Sequence, residues 1–392
     1  MQTEFYRIGR LPPYVFAEVN KIKAEARAAG KDIIDLGMGN PDSKPPAHVM
    51  SKLREALGDP KASRYSVSKG IHGLRKAQAG YYKNRFGVDI NPDTELCVTI
   101  GSKEGLANLA NAISQPGDVF VVPDPSYPIH TWGFIIPGAE VRHIPNTPHA
   151  PDFMKNLEAA LSAKPKPVAV VVNYPCNPTA ETVDIGFYEE VVGLCRKYEV
   201  YAISDLAYCE LYFDEAKPTP SMLQVKGAKD VAVEFTTLSK TYSMAGWRIG
   251  FAAGNKHLVG ALTKIKSYLD YGTFLPMQIA ATSAINGLQD YVDQMRVLYK
   301  DRRDVVVDGL AKVWPMEKPD ASMFVWAKLP EKYLHLGSLE FSKLLLTEAD
   351  VAVAPGIGFG PGGNDYVRIA LVENKHRLRQ AVRNMKAFLS HQ

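Results

Sequence analysis

The sequence predicts an α/β protein built on a mostly parallel sheet, with one large domain and one smaller domain. Three observations lead there. From about Leu96 onward, short apolar runs that suit strands alternate with stretches that suit helices, the pattern of a parallel sheet joined by crossover helices. Val168–Val172 is an unbroken, mostly β-branched run, as expected of a strand covered on both faces. The chain has 392 residues, enough for a large core and a second smaller one, and 46% hydrophobic against 22% charged residues is an ordinary globular balance.

Composition also excludes. The net charge of +4 is spread along the chain without a basic run, which argues against a nucleic-acid or membrane surface. Cys97, Cys176, Cys195 and Cys209 are widely spaced and form no Cys-x-x-Cys pair, so they read as reduced core thiols. The nine histidines contain no His-Glu-x-x-His pattern, and no metal site is expected. Met1–Phe5 lacks the apolar core of a signal peptide, and no uncharged apolar run reaches membrane-spanning length. The cytoplasm is the expected location.

Taken in order, Phe5–Phe16 is mixed in character, ends in Pro12-Pro13 and reads as an extended arm. Val15–Ala29 suits a helix closed by Gly30, and Ile33–Leu36 a short strand running into Gly37-Met38-Gly39-Asn40-Pro41-Asp42. That turn is either a plain turn or a place where backbone approaches a ligand. Helices follow over Ala47–Leu57 and Ile71–Phe86, separated by the polar loop Tyr65–Gly70. Cys97–Ile100 is a strand that breaks at Gly101-Ser102-Lys103-Glu104-Gly105 into a helix over Leu106–Ile113. Free N–H groups at such a helix start can cradle a phosphate; the same groups can also be capped by Ser102. Val119–Val122 is a strand leading to Pro123–Pro128, and Val168–Val172 leads to Asn173–Thr179. Phe187–Tyr198 is a helix and Val200–Ser204 a strand ending in Asp205-Leu206-Ala207-Tyr208. A carboxylate at the mouth of a buried strand needs a partner, and a protonated ring nitrogen is one; a turn or cap role is the other reading.

The stretch Thr236–Gly250 organises the rest. Lys240 lies among small hydroxyl residues between the strand-like Val231–Phe235 and Ile249–Ala253, with Arg248 eight residues on. A cationic, partly desolvated setting frees a lysine amine to condense with an aldehyde. Thr237, Ser239 and Arg248 supply donors for a phosphate, and aldehyde plus phosphate on one molecule means pyridoxal phosphate. A buried strand-turn-strand with an incidental lysine is the alternative. After it come helices over Lys256–Leu269 and a long one over Gln278–Leu310, then the strand Ser322–Ala327, the helix Ser338–Ala349 and the strand Val351–Ala354. The glycine run Gly356–Gly362 mimics a dinucleotide fingerprint, but Pro361-Gly362-Gly363 prevents the helix that motif requires. In Val367–Leu371, Arg368 lies inside an apolar strand and needs an anion, either a structural salt-bridge partner or a ligand carboxylate.

Ser239-Lys240-Thr241-Tyr242-Ser243-Met244-Ala245-Gly246-Trp247-Arg248-Ile249-Gly250 resembles the cofactor-lysine signature of the class I/II aminotransferases, the fold-type-I pyridoxal phosphate enzymes. Arg10–Phe16, Gly37–Asp42 and Ile265–Tyr268 resemble the bacterial glutamate–pyruvate (alanine) transaminases. The resemblance implies a seven-stranded sheet in a large cofactor-binding domain, 48–285, and a discontinuous small domain, 1–47 and 286–392, with an N-terminal arm. Lys240 would hold pyridoxal 5'-phosphate, Asp205 its ring nitrogen, and Asn177 and Tyr208 its phenolic oxygen. Gly101, Ser102, Lys103, Thr237, Ser239 and Arg248 would surround its phosphate side, with Tyr127 stacked on the ring. Tyr65 would reach the phosphate of a neighbouring subunit, making the protein a homodimer. Gly39, Asn177 and Arg368 would bind the substrate carboxylate. Five consecutive strand ends, near Gly101, Tyr127, Asn177, Asp205 and Lys240, are expected to meet in one crevice.

The implied reaction moves an amino group from an amino acid to a 2-oxo acid in two ping-pong halves, alanine and 2-oxoglutarate being favoured. LL-diaminopimelate, aspartate or methionine remain alternative substrates, because no second arginine for a side-chain carboxylate is evident beyond Arg64. A pyridoxal phosphate lyase on the same scaffold is a second class of function, and a non-catalytic binding domain a third.

Overall fold

Along the strand Ala169–Val172, alternate side chains enter different cores. Ala169 and Val171 pack with Phe120, Phe134 and Leu109, whereas Val170 and Val172 pack with Phe153, Phe187 and Val191. Both faces are therefore covered, which is why the run carries no polar alternation. The computed structural model describes Thr3 and residues 5–390; the reading of Met1–Phe5 falls in part outside them.

Among the described residues there are eleven strands: β1 (Ile34–Leu36), β2 (Leu96–Thr99), β3 (Val119–Asp124), β4 (Glu140–Pro145), β5 (Ala169–Val172), β6 (Tyr201–Asp205), β7 (Ala232–Thr237), β8 (Gly250–Gly254), β9 (Phe324–Lys328), β10 (Val351–Pro355) and β11 (Tyr366–Ala370). Seven form one sheet in the order β2-β8-β7-β6-β5-β3-β4, in which only β8 runs antiparallel to its neighbours. The other four form a mixed sheet ordered β1-β10-β11-β9. Its core joins Trp314, Phe341 and Leu345 to the strands, with Leu378, Met385 and Phe388 from the helix Lys375–Ser390. Arg302, on the helix Asp290–Leu310, ties two segments together: it donates twice to Asp42 at 2.7 Å and once to the Leu371 carbonyl at 3.0 Å. All four cysteines are free and buried, as expected. No helix among the described residues is long and apolar enough to cross a membrane.

Four expectations need correcting. The single helix over Gln278–Leu310 is two, Leu275–Asn286 and Asp290–Leu310. Gly287 between them is extended, and the Gln289 side chain donates to its carbonyl at 2.7 Å, so the break is stabilised locally. The helix expected from Leu106 begins at Ser102, with Gly101 rather than Ser102 at the cap position and no side-chain cap. The Glu104 carboxylate accepts from the Ile100 N–H at 2.7 Å instead, across the turn. The arm is not wholly extended: Tyr6–Gly9 makes one helical turn, closed on the Phe5 carbonyl before Pro12-Pro13 can interrupt it. Finally, the strand ends that carry the site are not consecutive. The edge strand β4 intervenes between β3 and β5 in sequence, and its polar, half-exposed residues hide it from a hydrophobicity reading.

Candidate active site

The carboxyl ends of β3, β5, β6 and β7 open on a cavity of about 290 Å³ that faces the small sheet. This is where ligands lie in open α/β sheets. Lys240 occupies a helical turn, Leu238–Thr241, directly after β7. Thr237 caps that turn: its hydroxyl accepts the Ser239 N–H at 3.2 Å and lies 2.9 Å from both Ser239 Oγ and the Ile249 carbonyl. The Lys240 ammonium donates to the Gly39 carbonyl at 2.7 Å. Desolvation, then the positive charges of Arg368 and Arg248, bring its pKa down to about 8.

Arg248 has a left-handed backbone (φ 57°), and its guanidinium donates to the Ala245 and Ile100 carbonyls at 2.9 and 3.3 Å. Its guanidinium lies against Gly101: a Cβ there would come within 2.2 Å of Nη2, and φ of +80° disfavours a side chain anyway. Ser102 and Lys103 extend the same wall, the Lys103 ammonium 5.7 Å from the Tyr127 ring centroid. Burial, and then the Asp205 charge, raise the Tyr127 pKa.

Asp205, at the end of β6, is 3% exposed. Its Oδ1 accepts from the Ala207 N–H at 3.3 Å, and its Oδ2 lies 2.9 Å from His130 Nε2. His130 is the neighbour that the sequence did not reveal, three residues after Tyr127 on the helix Pro128–Ile135. The Asn173 amide donates to the Asp205 carbonyl at 2.7 Å and its oxygen accepts from the Asn177 N–H at 2.9 Å, so the ends of β5 and β6 are locked together. Tyr208 packs edge-on against Phe324, and burial holds its hydroxyl protonated well above the usual tyrosine range.

Arg368 projects from β11 between the rings of Phe324 and Phe359, at 4.1 and 4.7 Å. It donates to Asn177 Oδ1 at 2.7 Å and to the Gly37 carbonyl at 3.0 Å, while its Nε has no partner. It has no carboxylate within ion-pair distance among the described residues, and burial pushes its pKa down to about 10. The salt-bridge alternative is therefore not realised. A buried cation with a spare donor is a site for a planar anion. Gly39 faces the same space; a Cβ there would meet the Phe324 ring at 2.7 Å.

The structure thus brings Lys240, Asp205, Asn177, Tyr127, Tyr208, Ser102, Lys103, Thr237, Ser239, Arg248, Gly39 and Arg368 around one cavity, with Gly101 directly behind Arg248. Tyr65 is not among them. It is 85% exposed, with its ring 4.5 Å from that of Tyr271 on the outer surface. Tyr14, Phe16 and Lys23 from the N-terminal segment also line the cavity, a role not expected of any of them from sequence.

The family model described as Aminotransferase class I and II matches residues 31–384. A protein named AatC in Rhizobium meliloti (strain 1021) is 57% identical over 388 residues, covering 99% of this chain and 96% of that one. The glutamate-pyruvate aminotransferase AlaC of Escherichia coli (strain K12) is 52% identical over 388 residues, covering 98% and 94%. Among solved structures, substrate-bound BacF from Bacillus subtilis superposes with a TM-score of 0.91 at 34% identity, covering 99% and 98%.

Proposed function

The chain belongs to the class I and II aminotransferases, enzymes that use pyridoxal phosphate, and we propose that it exchanges amino groups between alanine and glutamate through their oxo acids, pyruvate and 2-oxoglutarate. The observation that carries this reading is two of the cavity's cations that lack a carboxylate partner, Lys240 with its pKa lowered to about 8 and Arg368 with an unbonded Nε. AlaC supports the choice of substrates.

The residues present fit pyridoxal 5'-phosphate. Gly101 leaves room for the Arg248 guanidinium, and Ser102, Thr237 and Ser239 add hydroxyls on the same wall, a set of donors suited to a phosphate. Asp205 is a buried carboxylate held at the cavity floor by His130, suited to a protonated ring nitrogen. Asn177 and Tyr208 offer donors to a phenolic oxygen, and Tyr127 an aromatic face. When bound, the cofactor supplies an aldehyde for amine exchange and an electron sink for the bond broken at the amino acid Cα.

The chain's own groups do the rest. Arg368, steadied by Asn177 and the Gly37 carbonyl, fixes the substrate α-carboxylate in a bidentate geometry. That contact aims the Cα–H bond at Lys240, whose amine takes the proton as general base and returns it as general acid. An amine with pKa about 8 serves both directions near neutral pH. Asp205 would hold the ring nitrogen from the cavity floor, and Phe324, Phe359 and Tyr127 keep water from the reacting carbon.

We further propose that the working unit is a homodimer in which Tyr65 completes the partner's phosphate site. Tyr65, Tyr268, Leu269 and Tyr271 are exposed large apolar side chains, between 61% and 85% accessible, the composition of an interface rather than a solvated face. The same reading assigns 48–285 to the cofactor-binding domain, 1–47 with 286–392 to the small domain, and the protein to the cytoplasm.

A panel of amino donors and oxo acids tests the function. Oxo-acid-dependent amino transfer, best with alanine and glutamate, is expected. Release of ammonia or carbon dioxide without transfer would establish a lyase instead, and preference for diaminopimelate, aspartate or methionine would reassign the substrate.

A further inference from the structure

Resting on that reading, we propose that Lys23 recognises the distal carboxylate of glutamate and 2-oxoglutarate, allowing one cavity to accept this dicarboxylate pair as well as alanine and pyruvate. Phe16, Val19, Asn20 and Lys23 recur at helical spacing along Val15–Ala28 and all line the cavity, so one face of this helix forms its wall on the small-sheet side. Phe16 packs edge-on against Phe359, whose ring in turn flanks Arg368. The helix therefore continues the wall that begins at the α-carboxylate clamp.

Lys23 is the cation on that face. Its side chain is 14% exposed and its ammonium lies 2.7 Å from Asp35 Oδ2. Asp35 also accepts the Gly37 N–H at 3.1 Å and has the Arg27 guanidinium at 3.7 Å. Two cations share one carboxylate, so the group as a whole carries a net positive charge; Lys23 and Asp35 line the cavity, and Arg27 backs Asp35 from outside it. A second carboxylate arriving at Lys23 balances it.

Sheet register sets the reach. Asp35 on β1 pairs with Ala352 on β10, and Ala354, two residues along β10, pairs with Arg368 on β11. Residues two apart on a strand share a face, so Asp35, Ala352, Ala354 and Arg368 lie on one face of the small sheet. Ordinary strand spacing and rise put the Asp35 and Arg368 Cα atoms about 12 Å apart. A five-carbon diacid spans roughly 5 Å between its terminal carbons at normal bond lengths. The Arg368 side chain at one end, and the Lys23 ammonium beside Asp35 at the other, would cover the rest. The residues between are alanines, which leave the floor clear for a substrate side chain. Lys103, which has no carboxylate partner among the described residues, stands on the opposite wall beside Tyr127.

The test is a ratio. In Lys23→Gln, kcat/KM for glutamate relative to that for alanine should fall about tenfold or more, chiefly through KM, and Lys23→Arg should restore most of it. Glutarate, a non-reacting diacid, should bind the same variant at least tenfold more weakly by calorimetry, whereas propionate should bind as before. Should Lys23→Gln fold poorly, Lys23→Gln with Asp35→Asn removes both charges together and is expected to give the same change in ratio. Equal losses on alanine and glutamate, an unchanged ratio, or a fall in the ratio caused by Lys103→Gln instead would overturn the assignment. Absence of amino transfer from either donor in the unaltered protein would defeat the broader functional reading, a separate outcome.

Discussion

The titration of Lys240 is the most informative consequence of the site. With its pKa near 8, about one molecule in ten carries a neutral amine at pH 7, against about one in 3,000 for a lysine at 10.5, a gain of roughly 300-fold. The gain comes first from desolvation and then from the charges of Arg368 and Arg248. The perturbation is pH, applied to cofactor-free protein mixed with pyridoxal, which carries the aldehyde without a phosphate to alter the local field. Adduct formation is followed by absorbance, with Lys240→Ala as the blank. The rate due to Lys240 should rise about tenfold per pH unit below 8 and level off above it. In Arg368→Gln the midpoint should move upward, because one of the two neighbouring cations is gone. A midpoint near 10 in the unaltered protein, or no displacement in Arg368→Gln, would refute the argument that burial and these two arginines tune the amine.

Two further outcomes follow from individual contacts. Arg368→Gln leaves a substrate carboxylate without its charge-assisted pair, worth about 1.5–3 kcal/mol, so KM should rise roughly 10- to 150-fold for every amino acid; steady-state kinetics showing the loss for one substrate alone would contradict the clamp. Glu234, fully buried, accepts from Ser221, Ser204, Tyr82 and Met222, yet burial raises its pKa from 4.5 to about 7. Its folded value lies above its unfolded one, so its contribution to stability is present in full below pH 4.5 and is lost as pH rises through 7. Relative to the unaltered protein, Glu234→Gln should therefore gain up to about 3 kcal/mol between pH 4.5 and 8.5 in denaturant melts; parallel curves would show that Glu234 does not titrate in this range.

Much of the fold was legible because local chemistry and global topology agree in the central sheet. Buried strands ending in Gly101, Asn173–Asn177, Asp205 and Thr237 each announce both a chain break and a polar group at the same point. The missed elements are those where local pattern and tertiary role diverge. The edge strand β4 is mixed in polarity because Ile144 alone of its residues is buried. The break at Gly287 depends on Gln289 bonding back to it, which composition alone does not show. His130 is invisible as a partner of Asp205 because 75 residues separate them and the contact exists only once β3 and β6 stand two strands apart in one sheet. Lys23 and Asp35 look like ordinary surface charges until the small sheet places them at the cavity wall. Arg368 was ambiguous in sequence for a physical reason: a buried arginine requires an anion whether that anion is protein or ligand. Only the three-dimensional surroundings, with an unbonded Nε and no facing carboxylate, separate the two.

The central claim is that Lys240 is the amine to which the cofactor bonds. Purified protein saturated with pyridoxal phosphate, reduced with borohydride and digested, should carry the pyridoxyl label on the peptide containing Lys240, at one label per chain. A label on Lys103, Lys23 or any other lysine, or no label at all, would contradict the account.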